Sequence, residues 1–325
     1  RAYVLFFSAL LAIKVFLAAL FSSDYEARLF TPFLLNGLSA TVNPWDAALN
    51  AVHELGFPVS PFPYPPVMVA VYLPIAGLLK LLAGSPEWIR NIIFKLPAFA
   101  ADLSILWFLW ILFPKRRGMV LLVYFASPIV IYACFMHSQL DLVPMSLLLG
   151  AIFLLTRDRL IYSALIVVLA AGAKFHVLAA LPLILIYLLK NFRPTFAFYY
   201  FLIVAGGLTL IVAPFYRSPG FAKYVLENEQ QRKILESFYQ IGDLRVYLPL
   251  LATSVIYLRF LTYRKINTDL LLSYLTMLFL VFIMLISPAP GWFVWVVPFV
   301  SAIFIKRGKE DFLNVSIYAA LTIGC

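Results

Sequence analysis

Charged residues are scarce in this chain, at 12% of 325 residues, whereas apolar residues make up 64%. An ordinary globular domain has about 25% charged and about 45–50% apolar residues. This deficit of charge, with a mean hydropathy of +0.96, excludes a soluble globular domain. Repeated apolar runs approach the roughly 20 residues that cross a bilayer. The sequence therefore predicts an all-α, polytopic integral membrane protein that forms one domain over residues 1–325.

Residues that bind metals or form disulfides are also few. The two cysteines, Cys134 and Cys325, both lie in apolar runs. They predict neither a disulfide framework nor a metal cluster. None of the three histidines belongs to an H-x-x-x-H pair or a histidine-rich cluster, which counts against a membrane-bound metalloenzyme.

Acidic residues are outnumbered, and the formal net charge is +10. Such a charge is compatible with nucleic-acid binding, but its distribution favours the excess of Lys and Arg found in cytoplasmic loops of membrane proteins. We therefore expect no nucleic-acid partner. The basic residues concentrate in five short connections between apolar runs: Lys115-Arg116-Arg117, Arg157 with Arg159, Lys190 with Arg193, Arg264-Lys265, and Lys306-Arg307-Lys309.

If these five connections are cytoplasmic, the connections between them face outward. Cytoplasmic and outer connections then alternate without exception from Lys115 to Lys309. Residues 1–21 form an earlier span that is retained, because no small-residue cleavage site follows them. The later spans are predicted at 118–136, 141–156, 160–173, 176–189, 195–213, 246–263, 269–286, 291–305 and 312 onward.

The run 160–189 contains Lys174 and His176. As one helix it would be about 45 Å long, well beyond the roughly 30 Å hydrocarbon core. It would also place Arg159 and Lys190 on opposite sides of the membrane. We therefore predict two short segments that meet at 174–176, below the outer surface and at the floor of a water-filled cavity.

The polar stretch 22–63 is rich in acidic residues and is expected outside. Segment 67–83 then lies in the outer leaflet as a juxtamembrane or re-entrant helix, and only 91–113 crosses, which keeps the basic residues at 115–117 inside. The prediction is about eleven spans, with large outer loops at roughly 22–90 and 214–245. Within the second loop, apolar residues among charges at 224–239 indicate an amphipathic surface helix, which either covers a cavity or is an inert connector.

The distribution of acidic residues predicts that the active site faces the outer side of the membrane. Asp24 and Glu26 follow the first span directly, and two such carboxylates can hold a metal or supply a general base. A solvated helix end is the alternative. Ten of the fifteen acidic residues fall on this side: Asp24, Glu26, Asp46, Glu54, Glu87, Asp141, Glu227, Glu229, Glu236 and Asp243.

Ionisable residues also interrupt the apolar runs. A spacing of four places His137 and Asp141 on one face if their turn is helical, although Asp141 can instead cap the next span. Asp102 is expected to pair with Lys95 in a structural role, because they lie one to two turns apart. Intramembrane charges are costly and usually line functional cavities.

Lys174 within an apolar run is a candidate for binding an anion such as a lipid phosphate, since a mid-membrane lysine must pair, snorkel or bind one. His176 lies beside it. Arg245, just before the following span, is a second candidate cation. A routine interfacial position explains Arg245 equally well.

Taken in order, these elements resemble the GT-C superfamily of membrane glycosyltransferases, which use polyprenyl-phosphate-linked sugars. The resemblance is strongest to mannosyltransferase-like members whose motif reads G-Q-x-D, where this chain has Ser138 in place of the glycine. The pattern covers nearly the whole chain and consists of Asp24-Tyr25-Glu26, Tyr64-Pro65-Pro66, Lys95 through Asp102, Ser127-Pro128, His137-Ser138-Gln139-Leu140-Asp141, Lys174 with Leu181-Pro182, and Ser287-Pro288 leading to Trp292, Trp295 and Pro298.

The resemblance implies juxtamembrane helices in the first outer loop and direct displacement with inversion at the anomeric carbon. Asp24 would deprotonate the acceptor hydroxyl, with Glu26 as the alternative, and Asp141 would orient the sugar or acceptor. No cofactor is required, because the phosphate leaving group is already stabilised. Some relatives use a divalent metal, and in this chain Asp24, Glu26 and Asp141 would be the residues to hold it. The residues expected to bind substrate are Tyr64, His137, Gln139, Asp141, Lys174, His176 and Arg245.

The implied partners are a polyprenyl-phosphate-linked sugar, a glycan, lipid or protein acceptor, and membrane lipid. The implied location is the cell (plasma or inner) membrane, with the active site on the extracytoplasmic face. A transporter or lipid flippase is the alternative function. It predicts pseudo-symmetric halves with broken helices at the midplane, and the sequence contains no such repeat.

Overall fold

The computed structural model describes residues 2–56 and 60–307, most of which are helical. The N-terminal helices are α1 (Ala2–Leu20), α2 (Thr31–Ser39), α3 (Pro44–Asn50), α4 (Val52–Leu55), α5 (Pro66–Leu81), α6 (Glu87–Phe94) and α7 (Leu96–Leu112). A π-helical turn, Tyr25–Phe30, leads into α2. Short helices thus occupy the predicted first outer loop.

The middle of the chain continues as α8 (Arg117–Met119), a π-helical segment Val120–Phe125, α9 (Pro128–Val130), a π-helical segment Ile131–Met136, α10 (Leu142–Leu155), α11 (Leu160–Ala173), a 3₁₀ segment Phe175–Ala180, α12 (Leu181–Asn191) and α13 (Pro194–Val212). The run 160–189 is therefore broken at Lys174, whose extended backbone (φ −157°, ψ 124°) ends α11. This confirms the predicted break.

The C-terminal part contains α14 (Pro219–Phe221), a π-helical segment Ala222–Leu226, α15 (Glu229–Arg232), a 3₁₀ turn Lys233–Leu235, strands β1 (Phe238–Ile241) and β2 (Leu244–Tyr247), α16 (Leu248–Leu261), α17 (Thr268–Leu285), a 3₁₀ segment Pro290–Trp295 and α18 (Val297–Arg307). The prediction of a continuous amphipathic helix over 224–239 is wrong. Asn228 is not helical (φ −58°, ψ 133°), and its side chain accepts a hydrogen bond from the Gln230 N–H as the N-cap of α15. The chain then turns back at Gly242 as an antiparallel hairpin.

Within residues 2–56 and 60–307, three helices are long and apolar enough to cross a membrane by themselves: Ala2–Leu20, Pro194–Phe215 and Thr268–Leu285. The number rises to five if two bent pairs each count as one span. These pairs are Glu87–Phe94 with Leu96–Leu112, bent by 46°, and Pro114–Phe125 with Pro128–Met136, bent by 44°. Pro97 and Pro128 stand at the two bends, where proline removes a helical hydrogen bond.

Apolar surface surrounds a buried centre, as expected for a membrane protein. The central helix α10 is apolar on all sides and almost entirely buried, which such a helix requires. In contrast, α13 exposes aromatic and aliphatic side chains along most of its length. A Cβ on its Gly207 would lie 2.8 Å from Val168, so this small residue lets α13 approach α11 closely.

Four of the five basic connections lie together at one end of the bundle. Arg116 donates to the backbone carbonyl of Lys306, and the Lys306 ammonium pairs with Asp269. Asn191 donates to the carbonyl of Ile266 at 2.8 Å. These contacts join four connections that the charge pattern assigns to one side of the membrane. The predicted last span, from 312 onward, and Lys309 lie outside the described residues.

The two predicted outer loops contact each other at the other end. The Asp46 carboxylate accepts hydrogen bonds from the Ser218 hydroxyl at 2.7 Å and from the Gly220 N–H at 2.8 Å. A Cβ on Gly220 would lie only 2.3 Å from the carbonyl oxygen of Trp45, so only glycine permits this approach. Asp46 therefore joins the outer loops, which fits a structural role.

Asp102 does not pair with Lys95, contrary to the expectation from their spacing. Its carboxylate lies 2.6 Å from the Lys14 ammonium of α1, and both side chains are fully buried. The Lys14 ammonium also lies 3.6 Å from the centre of the Phe125 ring. The expectation failed because the partner comes from another helix, 88 residues away in the chain.

Candidate functional site

The turn from His137 to Asp141 is the centre of the polar interior. It is not helical, because Ser138 has a φ of +58° and Gln139 donates its N–H to the carbonyl of Ala133 at 2.7 Å. His137 and Asp141 were expected to share one face only if this turn was helical, and that condition is not met. The Gln139 side chain packs against the backbone of Gly291, where an added Cβ would lie 2.6 Å from it.

His137 is half-buried and stands apart from Asp141. Its ring lies between those of Tyr25 and Tyr132, at centroid distances of 5.5 Å and 5.8 Å. Burial lowers the pKa of His137 below its ordinary value, because desolvation disfavours the charged imidazolium. The ring is therefore neutral near pH 7 and contributes packing rather than charge.

Asp141 is fully buried and belongs to a dense set of contacts. Its Oδ1 lies 3.0 Å from the Lys174 ammonium, and its Oδ2 accepts a 2.7 Å hydrogen bond from the Trp295 indole. The Tyr64 hydroxyl interacts with the same carboxylate. Although Asp141 precedes α10, its side chain makes no capping hydrogen bond. The Asp141 carboxylate is therefore used in an ion pair with Lys174 and a hydrogen bond with Trp295, and not in a helix cap.

Lys174 reaches this carboxylate because α11 ends just before it. Its ammonium lies 4.3 Å from the centre of the Tyr64 ring, and the rings of Trp292 and Trp295 are about 6 Å away. Aromatic faces attract a cation that has been removed from water. The Lys174 side chain is 13% exposed, whereas the Asp141 side chain is fully buried.

A cavity of about 260 Å³ opens beside Lys174, between the helix break and the second outer loop. His176 stacks on Trp295 with a centroid distance of 4.1 Å, and Trp292 stacks on Trp295 at 4.7 Å. The lining residues are Pro63, Pro65, Lys174, Phe175, His176, Ala179, Asn228, Gln230, Gln231, Ile234, Phe282, Ile286, Trp292 and Trp295.

A second buried ion pair lies on the other side of the same turn. The Lys95 ammonium is 3.0 Å from Glu26 Oε2, which also accepts a hydrogen bond from the Ser138 hydroxyl. The ammonium donates to the carbonyls of Phe21 at 2.6 Å and Ala18 at 3.2 Å. Lys95 therefore holds the end of α1 and the carboxylate that follows it.

Burial raises the pKa of the Glu26 carboxyl, and the opposing effects of the Lys95 ammonium and the Ser138 hydroxyl do not cancel that rise. Glu26 lines a cavity of about 440 Å³ beneath the first outer loop. A carboxylate with a raised pKa that is reached through a cavity is suited to accept a proton. The cavity gives it access that burial alone would deny.

Asp24 occupies a different environment from Glu26. Its side chain is 85% exposed and lies 3.3 Å from Arg28, whereas the Glu26 side chain is 5% exposed. Residues two apart on a helical turn point in nearly opposite directions, so only one of the pair can face inward. The spacing of Glu26 from buried Leu29, Phe30 and Phe33 by three, four and seven residues was the signal that identifies the inward one.

Arg245 lies on strand β2 and is exposed. Its guanidinium lies 5.1 Å from the centre of the Phe238 ring on the paired strand. The structure therefore does not bring Arg245 together with Lys174 as a second phosphate ligand. Within residues 2–56 and 60–307, no three His, Cys, Asp or Glu side chains converge as metal ligands, and Asp24, Glu26 and Asp141 lie in separate contacts.

The turn connects the two ion pairs, because Ser138 contacts Glu26 while Asp141, three residues later, contacts Lys174. Sequence reasoning named Glu26, Asp141, Lys174, His176 and Tyr64, which the structure places around this turn. It did not assign site roles to Lys95 or Trp295. No family model, curated protein or solved structure matches this chain.

Proposed function

We propose that this chain is a membrane glycosyltransferase of the GT-C type. It transfers a hexose such as mannose from a polyprenyl-phosphate donor to a hydroxyl of a glycan, lipid or protein acceptor. One observation carries the proposal: the Lys174 ammonium, held by buried Asp141, lines an aromatic cavity at a break between two apolar helices. A charge at such a position is costly and usually serves a ligand.

A lipid-linked phosphate fits this cation for two reasons. An ammonium has three N–H donors, and Asp141 is the one carboxylate that pairs with it among the described residues, so donors remain for phosphate oxygens. The cavity is also lined by apolar residues of the neighbouring helices, among them Ala179, Phe282 and Ile286, which suits the apolar chain of a lipid-linked donor. Phosphate bound at Lys174 would have its developing charge stabilised as the bond to the sugar breaks.

We further propose about eleven spans in the plasma or inner membrane, with the site on the extracytoplasmic face. Five candidate spans and the shorter apolar helices α10, α11, α16 and Phe175–Asn191 supply most of them. A helix of 14 residues, such as α10 or α11, is about 21 Å long, which is less than the roughly 30 Å core. Helices that border a water-filled cavity need not cross the whole core.

In the proposed reaction, Glu26 accepts the proton of the acceptor hydroxyl. The hydroxyl oxygen forms a bond to the anomeric carbon from the face opposite the phosphate. The bond between that carbon and the phosphate oxygen breaks, and its electron pair passes to the phosphate, so that polyprenyl phosphate leaves. The configuration at the anomeric carbon is inverted, and the proton on Glu26 then passes to water.

The roles of the two first-loop carboxylates follow from their surroundings. Glu26 is buried beside Lys95 and has a raised pKa, which supports it as the base. Asp24, which the sequence ranks first, is exposed on the surface and paired with Arg28. Asp141 would orient Lys174 and the sugar. The reaction requires no cofactor.

The backbone at Ser138 also supports the resemblance to the mannosyltransferase-like members. Their motif has glycine at this position, and Ser138 adopts a φ of +58°, a conformation that glycine reaches without strain. The motif and the turn geometry therefore agree, although the residue differs.

The alternative function, a transporter or lipid flippase, is favoured by one observation. The fully buried pair of Lys14 and Asp102 lies within α1 and α7, and paired charges inside the membrane often serve ion or proton pathways. Neutralising both groups in Lys14→Met/Asp102→Leu separates the two functions. A transferase retains sugar transfer in this variant, whereas a proton-coupled transporter loses transport.

A panel of radiolabelled polyprenyl-phosphate sugars tests the proposal. Membranes that contain the protein should transfer label from one of these sugars to an acceptor, and membranes with Lys174→Met should not. Control membranes with Lys190→Met, at the opposite end of α12, should match wild type. Absence of transfer from every sugar, with the protein folded and inserted, would contradict the proposal.

A further inference from the structure

The cavity beside Lys174 has two unlike walls. One is aromatic, where Trp292, Trp295 and His176 form a continuous stack of rings with centroid distances of 4.7 Å and 4.1 Å. The other comes from the second outer loop and includes Asn228, Gln230 and Gln231. The Asn228 carboxamide is bonded to the Tyr224 carbonyl and the Gln230 N–H, and the Gln231 carboxamide donates to the Val225 carbonyl, so among the described residues Gln230 has the carboxamide that is left for a ligand. An isoprenoid chain has no polar groups for a carboxamide wall to bind, whereas a sugar ring has hydroxyls on its edge and apolar C–H groups on its faces.

A polar atom without a hydrogen-bond partner among the described residues lies in the aromatic wall. His176 Nδ1 is buried, and no group among residues 2–56 and 60–307 hydrogen-bonds to it. Its Nε2 lies 3.3 Å from the Met145 sulfur. A buried polar atom without a partner is costly, and this one belongs to a residue that lines the cavity.

The volume of about 260 Å³ is just below the range of about 300–1,000 Å³ that is typical of pockets for drug-sized ligands. It therefore suits one sugar ring and its phosphate rather than a longer saccharide. Among the described residues that line the cavity, Lys174 is the only one with a formal charge. One cation can offset the phosphate but leaves nothing to offset a second acidic group on the sugar.

We propose that this cavity binds a single uncharged hexopyranosyl phosphate and excludes uronic acids. The Trp292–Trp295–His176 stack contacts the ring, the Gln230 carboxamide binds its hydroxyls, and Lys174 binds its phosphate. This inference rests on the proposed function for the identity of the ligand, but its test does not require transfer. It adds a specificity to the site: the sugar is neutral and is bound one ring at a time.

Binding to the purified full chain in detergent tests the proposal by calorimetry with four probes: mannose 1-phosphate, glucuronic acid 1-phosphate, inorganic phosphate and farnesyl phosphate. Mannose 1-phosphate should bind about tenfold more tightly than inorganic phosphate or glucuronic acid 1-phosphate, the scale of one good aromatic contact. Trp292→Leu should remove this preference while binding of inorganic phosphate is unchanged.

Trp88→Leu is the matched control, because Trp88 is exposed on α6 and does not line the cavity. Should Trp292→Leu fail to fold, Gln230→Leu on the opposite wall should weaken mannose 1-phosphate binding and spare phosphate. Equal binding of glucuronic acid 1-phosphate would overturn the inference. So would a Trp292→Leu effect confined to farnesyl phosphate, which would assign the cavity to the lipid chain.

The proposed pocket and the proposed transferase activity can be rejected independently of each other. Selective binding of mannose 1-phosphate without any sugar transfer would retain the pocket and reject the transferase. Sugar transfer by a protein whose Trp292→Leu and Gln230→Leu variants keep full sugar selectivity would retain the transferase and reject the pocket.

Discussion

The Lys174 ammonium lies 3.0 Å from Asp141 Oδ1, although the two residues are 33 positions apart. The pair joins the start of α10 to the break after α11. It brings a carboxylate and a cation together at the neighbouring ends of these two helices. The cavity with the aromatic stack opens at this same position. The pair is therefore both a structural link and the charged floor of the proposed donor site.

Lys174→Met should abolish binding of farnesyl phosphate, because the cation that offsets phosphate is lost. It should also destabilise the protein by about 3–5 kcal/mol, the usual cost of leaving one member of a buried ion pair alone. In Lys174→Met/Asp141→Asn the unpaired carboxylate is gone, so thermal stability should recover while binding does not. Thermal unfolding and calorimetry in detergent measure both. Unchanged farnesyl phosphate binding in folded Lys174→Met would reject the phosphate role.

Glu26→Gln should lower turnover by about 10²–10⁴-fold, the typical contribution of a positioned base, while donor binding persists. The substitution keeps the volume and removes the proton acceptor. Asp24→Asn is the matched control: the sequence alone predicts that it inactivates the enzyme, and its exposed position beside Arg28 predicts turnover near wild type. Normal turnover in Glu26→Gln with loss in Asp24→Asn would return the base to Asp24.

The pH dependence of turnover should report the same group. A base acts when deprotonated, so turnover falls as the pH drops through the pKa of Glu26. Burial raises that pKa above the value of about 4.3 for an unperturbed glutamate, and the acidic limb of the profile should shift upward accordingly. In Glu26→Gln the residual turnover should lack this limb. An acidic limb in wild type at or below pH 4 would contradict the assignment.

Local patterns in the sequence predicted features that depend on local physics. The helix break at Lys174 follows from the cost of placing a lysine within 30 apolar residues, and the structure has the break there. Lys95 was wrongly predicted as the partner of Asp102, because spacing along one helix reveals nothing about Lys14 on another helix. His137 and Asp141 do not share a helical face, because Ser138 between them has a left-handed backbone conformation. Long-range partners and positive φ angles are set by tertiary packing.

The sidedness of the loops can be measured with single cysteines in a chain that lacks Cys134 and Cys325. Thr41 and Lys115 are exposed, and they lie in the predicted outer and cytoplasmic connections respectively. A membrane-impermeant thiol reagent should label Thr41→Cys in intact cells and Lys115→Cys only after the cells are opened. Labelling of Lys115→Cys in intact cells would contradict the proposed topology.

The most direct test of glycosyl transfer uses a donor labelled in both halves, with ³H in the sugar and ³²P in the phosphate. The purified protein in vesicles should move ³H to the acceptor and leave ³²P in polyprenyl phosphate, because the bond between the anomeric carbon and the phosphate oxygen breaks. A flippase or transporter would keep both labels in one molecule and only change its side of the membrane. Separation of the labels by wild type but not by Glu26→Gln is the predicted result, and labels that stay joined would contradict the account.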